Sequence, residues 1–481
     1  VGKSLKFVVT VDSTATSTPS TSNLGYAAPT IAQLSGAAVS VSGTTTLGGA
    51  EIIITGTNFG PAAQTLVSAE YGPDADTDKY SVSNSDCSVV SHTSMRCNTV
   101  AGVGGGLKWS VIIGGQKSAI FHETAIKYAN PVLTTASVDG GATTVDTLGD
   151  TGGNTNTKVN LGGSNFGPAC IGCISATYGP SAAGSKYGPV TCDVLSSGHT
   201  SIRCPTVAGV GSGQKWKVTR ESLTSAVSTA TVSYTLPAIS GFSGTAATQS
   251  SCSTLGGVTI TISGTSFGPV GHTDGVQAVY GTDADPDKYS ATSCSVTTLS
   301  SISCTTAAGV GDNLKWIVTV AGQDSPRSNA VIAYTLPTLT GLSGAAVTGR
   351  SATTGGMAIS LTGNFFGPPD QTEVVVQYGP DGTLSKYVAV SCTVVSQTSI
   401  TCQTRAGVGT GLKWRVGIGG QFSGSLSSTT TSYAAPTINK LSGEAASASG
   451  TTTAGNSQLI ITGTNFGPAA QTLVSAEYGP D

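Results

Sequence analysis

Residues 87–118 read "CSVVSHTSMRCNTVAGVGGGLKWSVIIGGQKS". Two short β-type runs, around Cys87 and Cys97, flank the turn letters "SHTS". A strand, a turn and a return strand put the two cysteines opposite each other across a hairpin. Directly opposed residues lie about 4.5–5.5 Å apart between Cα atoms, and a disulfide spans about 4.4–6.8 Å, so the spacing permits a bridge. A pair of buried free thiols is the rival reading. The run "LKWSVII" then alternates as a half-buried strand does, which turns Trp109 toward the core between two sheets. A ligand-stacking tryptophan is the alternative.

The same string recurs from Cys192 to Ser225, from Cys294 to Ser325 and from Cys392 to Ser423. Working outward, each copy follows the same landmarks in the same order. A tyrosine opens each block, at Tyr26, Tyr128, Tyr234, Tyr334 and Tyr433, with spacings of 102, 106, 100 and 99 residues. An apolar strand follows, then "NFGP" at 58–61 and 165–168, "SFGP" at 266–269 and "FFGP" at 365–368. "YGPD" or a variant stands at 71–74, 178–181, 280–283 and 378–381, and "KY" ends at Tyr80, Tyr187, Tyr289 and Tyr387. Each block carries one tryptophan: Trp109, Trp216, Trp316 and Trp414. Short strands with turn signals about every ten residues, in a block of about 100, predict an immunoglobulin-like sandwich. The fold class expected is therefore all-β: tandem immunoglobulin-like β-sandwiches in a linear array. The expected repeats are 26–127, 128–233, 234–333 and 334–432, with the end of a preceding repeat at 1–25 and the start of a following one at 433–481. In "FGP" the glycine is expected at positive φ, with the proline fixing the next φ.

The order "GTNFGP", then cysteines around "VVSxTSI", then "AGVG", "KW" and "GGQ" resembles the IPT/TIG domain, the immunoglobulin-like fold of plexin-type ectodomains, Rel-type transcription factors and many tandem surface proteins. The resemblance covers essentially the whole chain. It implies scaffolding or binding and brings no catalytic residues with it. The chain departs from the motif at Ser266 and Phe365, which stand where Asn58 and Asn165 stand, and in the second block, which is longer and has extra cysteines.

Composition narrows the function. Of 481 residues 65 are glycine, only 10% are charged, and the net charge is −3. No basic run offers a nucleic-acid or anionic-membrane surface, which also disfavours a DNA-binding, Rel-like reading. No apolar run reaches the ~18 residues a membrane span needs. Eleven cysteines at regular spacing suit an oxidising, extracellular or cell-surface setting. The pairs expected are Cys87/Cys97, Cys192/Cys204, Cys294/Cys304 and Cys392/Cys402, with a local Cys170/Cys173 bridge in "CIGC". That CxxC has no second CxxC or helix to support a zinc or redox reading. Cys252 is left odd, free or bonded to another chain.

No cofactor, metal or enzymatic activity is expected. His92, His122, His199 and His272 are scattered, "GVGGG" at 102–106 precedes a strand rather than a phosphate-cradling helix, and "DADTD" (74–78) and "DADPD" (283–287) resemble only the start of a Ca²⁺ loop. No N-x-S/T sequon occurs, so Ser/Thr-rich stretches at 13–22 and 427–432 are the expected places for O-linked glycans, with an unmodified polar linker or edge strand as the alternative. Residues 1–74 align without a gap on 408–481, and 53–74 equal 460–481 letter for letter. The expectation is a repeating structural subunit of an extracellular fibre or stalk, its partial end blocks completed by more of the same sequence, either covalently or by strand donation. The alternative is the adhesive or ligand-binding ectodomain of a surface receptor, with the second block as its distinctive patch.

Overall fold

The computed structural model describes the chain except residues 63, 123–125, 143, 146–157, 181–183, 196–198, 248–250, 271–274, 370–372, 448–449, 451–452, 470–473 and 480–481. His272 and Ser181 of the sequence landmarks lie outside the described residues. The chain divides into two compact units, Val1–Leu236 and Pro237–Asp481.

In the first unit a short hairpin, β1 (Thr10–Val11) and β2 (Ala15–Thr16), precedes the first complete sandwich. That sandwich uses β3 (Thr30–Ser35), β4 (Glu51–Thr57), β5 (Val67–Gly72), β6 (Tyr80–Val82), β7 (Cys87–Ser91), β8 (Ser94–Asn98), β9 (Lys108–Ile113) and β10 (Gln116–Lys117). They form two four-stranded sheets, in the orders β3-β4-β8-β7 and β10-β9-β5-β6. The period-2 alternation of the apolar letters places Ile52, Ile54, Met95, Val111 and Trp109 inward. An isolated parallel bridge joins Thr44 to Tyr128, beyond the last of these strands. Both sheet orders recur in the third and fourth repeats. In the second repeat one long strand, Tyr187–Val194, pairs with Cys170–Gly179 on one side and Ser201–Pro205 on the other, so its strands join into a nine-stranded sheet.

Each core is organised around one aromatic set. Trp109 pairs in register with Tyr71, and their rings stack with centroids 4.0 Å apart. The Tyr71 hydroxyl lies 2.9 Å from that of Tyr128. Tyr178–Trp216, Tyr280–Trp316 and Tyr378–Trp414 repeat the stack at 4.3, 4.1 and 4.0 Å. The tyrosine that opens each block in the sequence thus packs in the sandwich before it: Tyr128, Tyr234 and Tyr433 belong to the cores of the first, second and fourth repeats. All four tryptophans are 0% exposed, so the ligand-stacking alternative is set aside in favour of core packing.

Glycine at the "FGP" turn has φ of 85° at Gly60 and 82° at Gly167. The residue two places earlier is also left-handed, with φ of 66° at Asn58, 62° at Asn165, 62° at Ser266 and 63° at Phe365. Asparagine suits this conformation better than most side chains, and Asn58 Nδ2 also donates to the Ala28 carbonyl at 2.9 Å.

Candidate functional site

The sequence-selected cysteines lie where the hairpin register puts them. Cys87 and Cys97 are direct partners on β7 and β8, bridged with a Cα–Cα distance of 4.0 Å. Cys192–Cys204, Cys294–Cys304 and Cys392–Cys402 are bridged likewise, at 4.3, 4.2 and 4.1 Å. These bridges lie within one sheet rather than between the two. Cys170 and Cys173 are also bridged. Cys252 is a buried free thiol, 0% exposed, and burial pushes its pKa up, which leaves no sulfur at the surface for a bond to another chain.

Other candidates are absorbed by local pairing. Asp74 of "DADTD" is ion-paired with Lys108. Asp283 of "DADPD" is held by Lys315 at 3.0 Å and Arg327 at 2.8 Å, and Asp381 by Lys413 at 2.7 Å. The Lys315 and Lys413 ammonium groups hold Asp283 and Asp381 below the usual carboxylate range. The stretch 427–432 is not a free polar linker. Ser427 Oγ accepts the Trp414 backbone N–H at 3.0 Å, Thr431 Oγ1 accepts the Trp414 indole N–H at 2.9 Å, and both residues are buried.

What the motif letters build together is a junction between successive repeats within each unit. The valine of "AGVG" reaches forward. Val1 packs against the core of the first complete sandwich, and Val310 of the third repeat joins the core of the fourth. Glycine is required on the receiving turn: a Cβ on Gly167 would lie 2.2 Å from Val103 Cγ1, and one on Gly60 2.7 Å from Val1 Cγ1.

The "GGQ" position reaches back. Gln116 Nε2 donates to the Tyr26 carbonyl at 2.8 Å, and Gln421 Nε2 to the Tyr334 carbonyl at 3.3 Å. The second repeat has Leu223 at this position, and Leu223 packs into the core of the first repeat instead.

Two polar contacts flank the junction. His199 Nδ1 lies 3.0 Å from Thr46 Oγ1. At the corresponding place Gln397 Oε1 accepts from Thr254 Oγ1 at 2.7 Å. Lys79 pairs with Glu221, and Lys288 with Glu373 at 2.7 Å. Burial pulls both ammonium groups down, but the carboxylates and the adjoining tyrosines outweigh it and hold them above the ordinary lysine value. Sequence reading recorded "AGVG" and "GGQ" as landmarks without a role. Their recurrence at fixed places on turns, where no core position explains them, was the available signal.

A series of antiparallel sandwiches, each with a hairpin disulfide and a buried Trp–Tyr stack, defines a tandem immunoglobulin-like chain. Residues 37–128 match the family model of the IPT/TIG domain. The same landmarks stand in the three later repeats. No curated protein matches it in sequence. Among solved structures, the plexin A4 extracellular region is 15% identical over 80% of this chain and 36% of its own, with a TM-score of 0.20. A surface glycan-binding protein of Prevotella bryantii is 14% identical over 41% of this chain and 42% of its own, with a TM-score of 0.28. The Escherichia coli adhesin FdeC is 14% identical over 63% of this chain and 97% of its own, with a TM-score of 0.19. The chain thus spans 36% of the plexin and 42% of the glycan-binding protein. Its several disulfides are of the kind that persists outside the reducing cytosol, and no helix among the described residues is long and apolar enough to cross a membrane.

Proposed function

We propose that the chain is a structural protein: a repeating subunit of an extracellular fibre or stalk built of IPT/TIG sandwiches. The reciprocal junction is the observation that carries this reading. A forward valine and a backward glutamine or leucine clasp successive repeats, with the flanking contacts of Lys79, Lys288, His199 and Gln397 beside them. A clasp made from repeating letters suits an array in which each unit touches mainly its neighbours. Its partner is then more of the same sequence.

Negative-stain microscopy of native material tests the proposal. Unbranched filaments or stalks support it, and a dispersed monomer of these 481 residues overturns it.

A further inference from the structure

The "CIGC" of the second repeat is not used by the junction, and its surroundings differ from those of every hairpin bridge. In the strand Cys170–Gly179, Cys170 pairs with Val194 and Ile174 with Cys192. Ile171, Gly172 and Cys173 therefore bulge out opposite the single residue Asp193. Gly172 is left-handed, with φ of 65°, and its N–H donates to Asp193 Oδ1 at 2.7 Å. Ile171 at the tip is 92% exposed. Beneath the bulge lies Arg220, only 8% exposed. Its Nη1 is 2.7 Å from Cys170 Sγ and 2.7 Å from Cys173 Sγ, and it also donates to the Phe166 carbonyl at 3.2 Å.

We infer that Cys170–Cys173 is a thiol–disulfide exchange site, open to an incoming dithiol while the hairpin bridges stay closed. The approach is over the exposed bulge. A thiolate of the dithiol attacks one of the two sulfurs and forms a mixed disulfide. The other sulfur leaves as a thiolate next to the Arg220 guanidinium. The second thiol of the dithiol then loses its proton and closes on the mixed disulfide, releasing the remaining cysteine. Two electrons pass from the dithiol, which leaves as a disulfide, to the Cys170–Cys173 pair. A guanidinium beside a sulfur lowers the thiol pKa, and a leaving thiol of lower pKa departs faster. Because one Nη1 touches both sulfurs, either can be the leaving group. The other charged groups nearby are Asp193, its Oδ1 engaged by the bulge backbone, Glu221, next to Arg220 in the chain, and His199, whose pKa burial and Arg220 lower. Cys294 and Cys392 are half-buried like Cys170 and Cys173, whereas Cys192 and Cys204 are 0% exposed; what sets the Cys170–Cys173 pair apart is the guanidinium on both sulfurs.

The test is native-state reduction of the 481-residue chain with increasing dithiothreitol, quenched with N-ethylmaleimide and mapped by peptide mass. The peptide with Cys170 and Cys173 is expected to take up two maleimides at about a tenth of the dithiothreitol that opens Cys87–Cys97, Cys192–Cys204, Cys294–Cys304 or Cys392–Cys402. Opening together with those bridges, or after them, overturns the inference. On the selectively reduced chain, Arg220→Gln is expected to slow iodoacetamide labelling of the pair at pH 7 by about tenfold, with Arg220→Lys close to the parent rate. Equal rates for the parent and Arg220→Gln across pH 6–9 also overturn it.

Discussion

Replacing Phe365 by asparagine should stabilise the fourth repeat. Phe365 has φ of 63°, and a left-handed conformation costs an ordinary residue about 1–2 kcal/mol. Asparagine carries less of this cost because its short polar side chain bonds locally. In the equivalent turns Asn58 donates to the Ala28 carbonyl at 2.9 Å, and Asn165 to the Asn130 carbonyl at 3.3 Å. The matching acceptor in the fourth repeat is the carbonyl of Leu336, and a new hydrogen bond there contributes about 1 kcal/mol. Against these gains, Phe365 is 37% exposed, so losing the covered part of its ring costs about 1–2 kcal/mol. The balance favours Phe365→Asn by about 1 kcal/mol, or roughly fivefold in the local opening equilibrium. A chain of several sandwiches does not unfold in one step. Hydrogen exchange read on peptides covering 358–364 and 399–403 is therefore the suitable assay. Protection should rise about fivefold in Phe365→Asn and fall in Phe365→Ala, which loses the ring and keeps the strain. Asparagine no better protected than phenylalanine would refute the strain argument, and so would asparagine and alanine behaving alike.

Trp316→Ala should destabilise the third repeat by about 3–5 kcal/mol, because a fully buried indole stacked on Tyr280 leaves a cavity; exchange on strands Thr259–Thr265 and Lys315–Val320 reports it. Stability should be flat in the phenols' contribution below about pH 10 and decline above it, as followed by circular dichroism. Burial holds Tyr71, Tyr128, Tyr178, Tyr234, Tyr280, Tyr334, Tyr378 and Tyr433 protonated above their ordinary value, so above pH 10 the unfolded chain releases protons that the folded chain keeps. Non-reducing peptide mapping should recover the four hairpin bridges; free thiols at Cys87 and Cys97 would count against them. Intact mass tests O-glycosylation of the exposed stretch 13–22, and a value matching bare polypeptide, 47.5 kDa, excludes it.

The sandwich period, the inward tryptophan and the cysteine hairpin were legible because each rests on local rules. Alternation sets the face of a strand, and a turn of fixed length sets the register of the hairpin that carries Cys87 and Cys97. The positive φ of the "FGP" glycine was legible for the same reason. What sequence reading missed joins residues far apart in the chain. Gln116 and Tyr26 are 90 residues apart, and His199 and Thr46 are 153 apart. No local pattern states such a pairing. The stretch 427–432 reads as a place for O-linked glycans, or else a polar linker or edge strand, because its serines and threonines look solvated, yet every buried hydroxyl there caps a donor of Trp414. Tyr128 read as the opening of a block because it precedes "ANP", although its ring and hydroxyl complete the core before it.

The departures from the repeat show what the junction requires. At the "GGQ" position the first and fourth repeats use glutamine and the second uses leucine. The two side chains share little chemistry, but both bridge the same gap. Glutamine satisfies a carbonyl at the end of the preceding sandwich, and leucine fills the apolar edge of that sandwich's core. The preceding repeat therefore presents both an open acceptor and an apolar seat, and the junction selects for reach more than for polarity. In the second repeat the exchange comes with a second one: Glu221 replaces the glycine that stands at Gly114 in the first repeat, keeps the left-handed backbone with φ of 50°, and adds the ion pair to Lys79. An exposed pair of this kind contributes little stability alone. The junction of the third and fourth repeats has a lysine–carboxylate pair as well, Lys288–Glu373, although Gln421 keeps its hydrogen bond there. The ion pair is therefore a shared element of the junction, and the part that varies between repeats is the glutamine or leucine beside it.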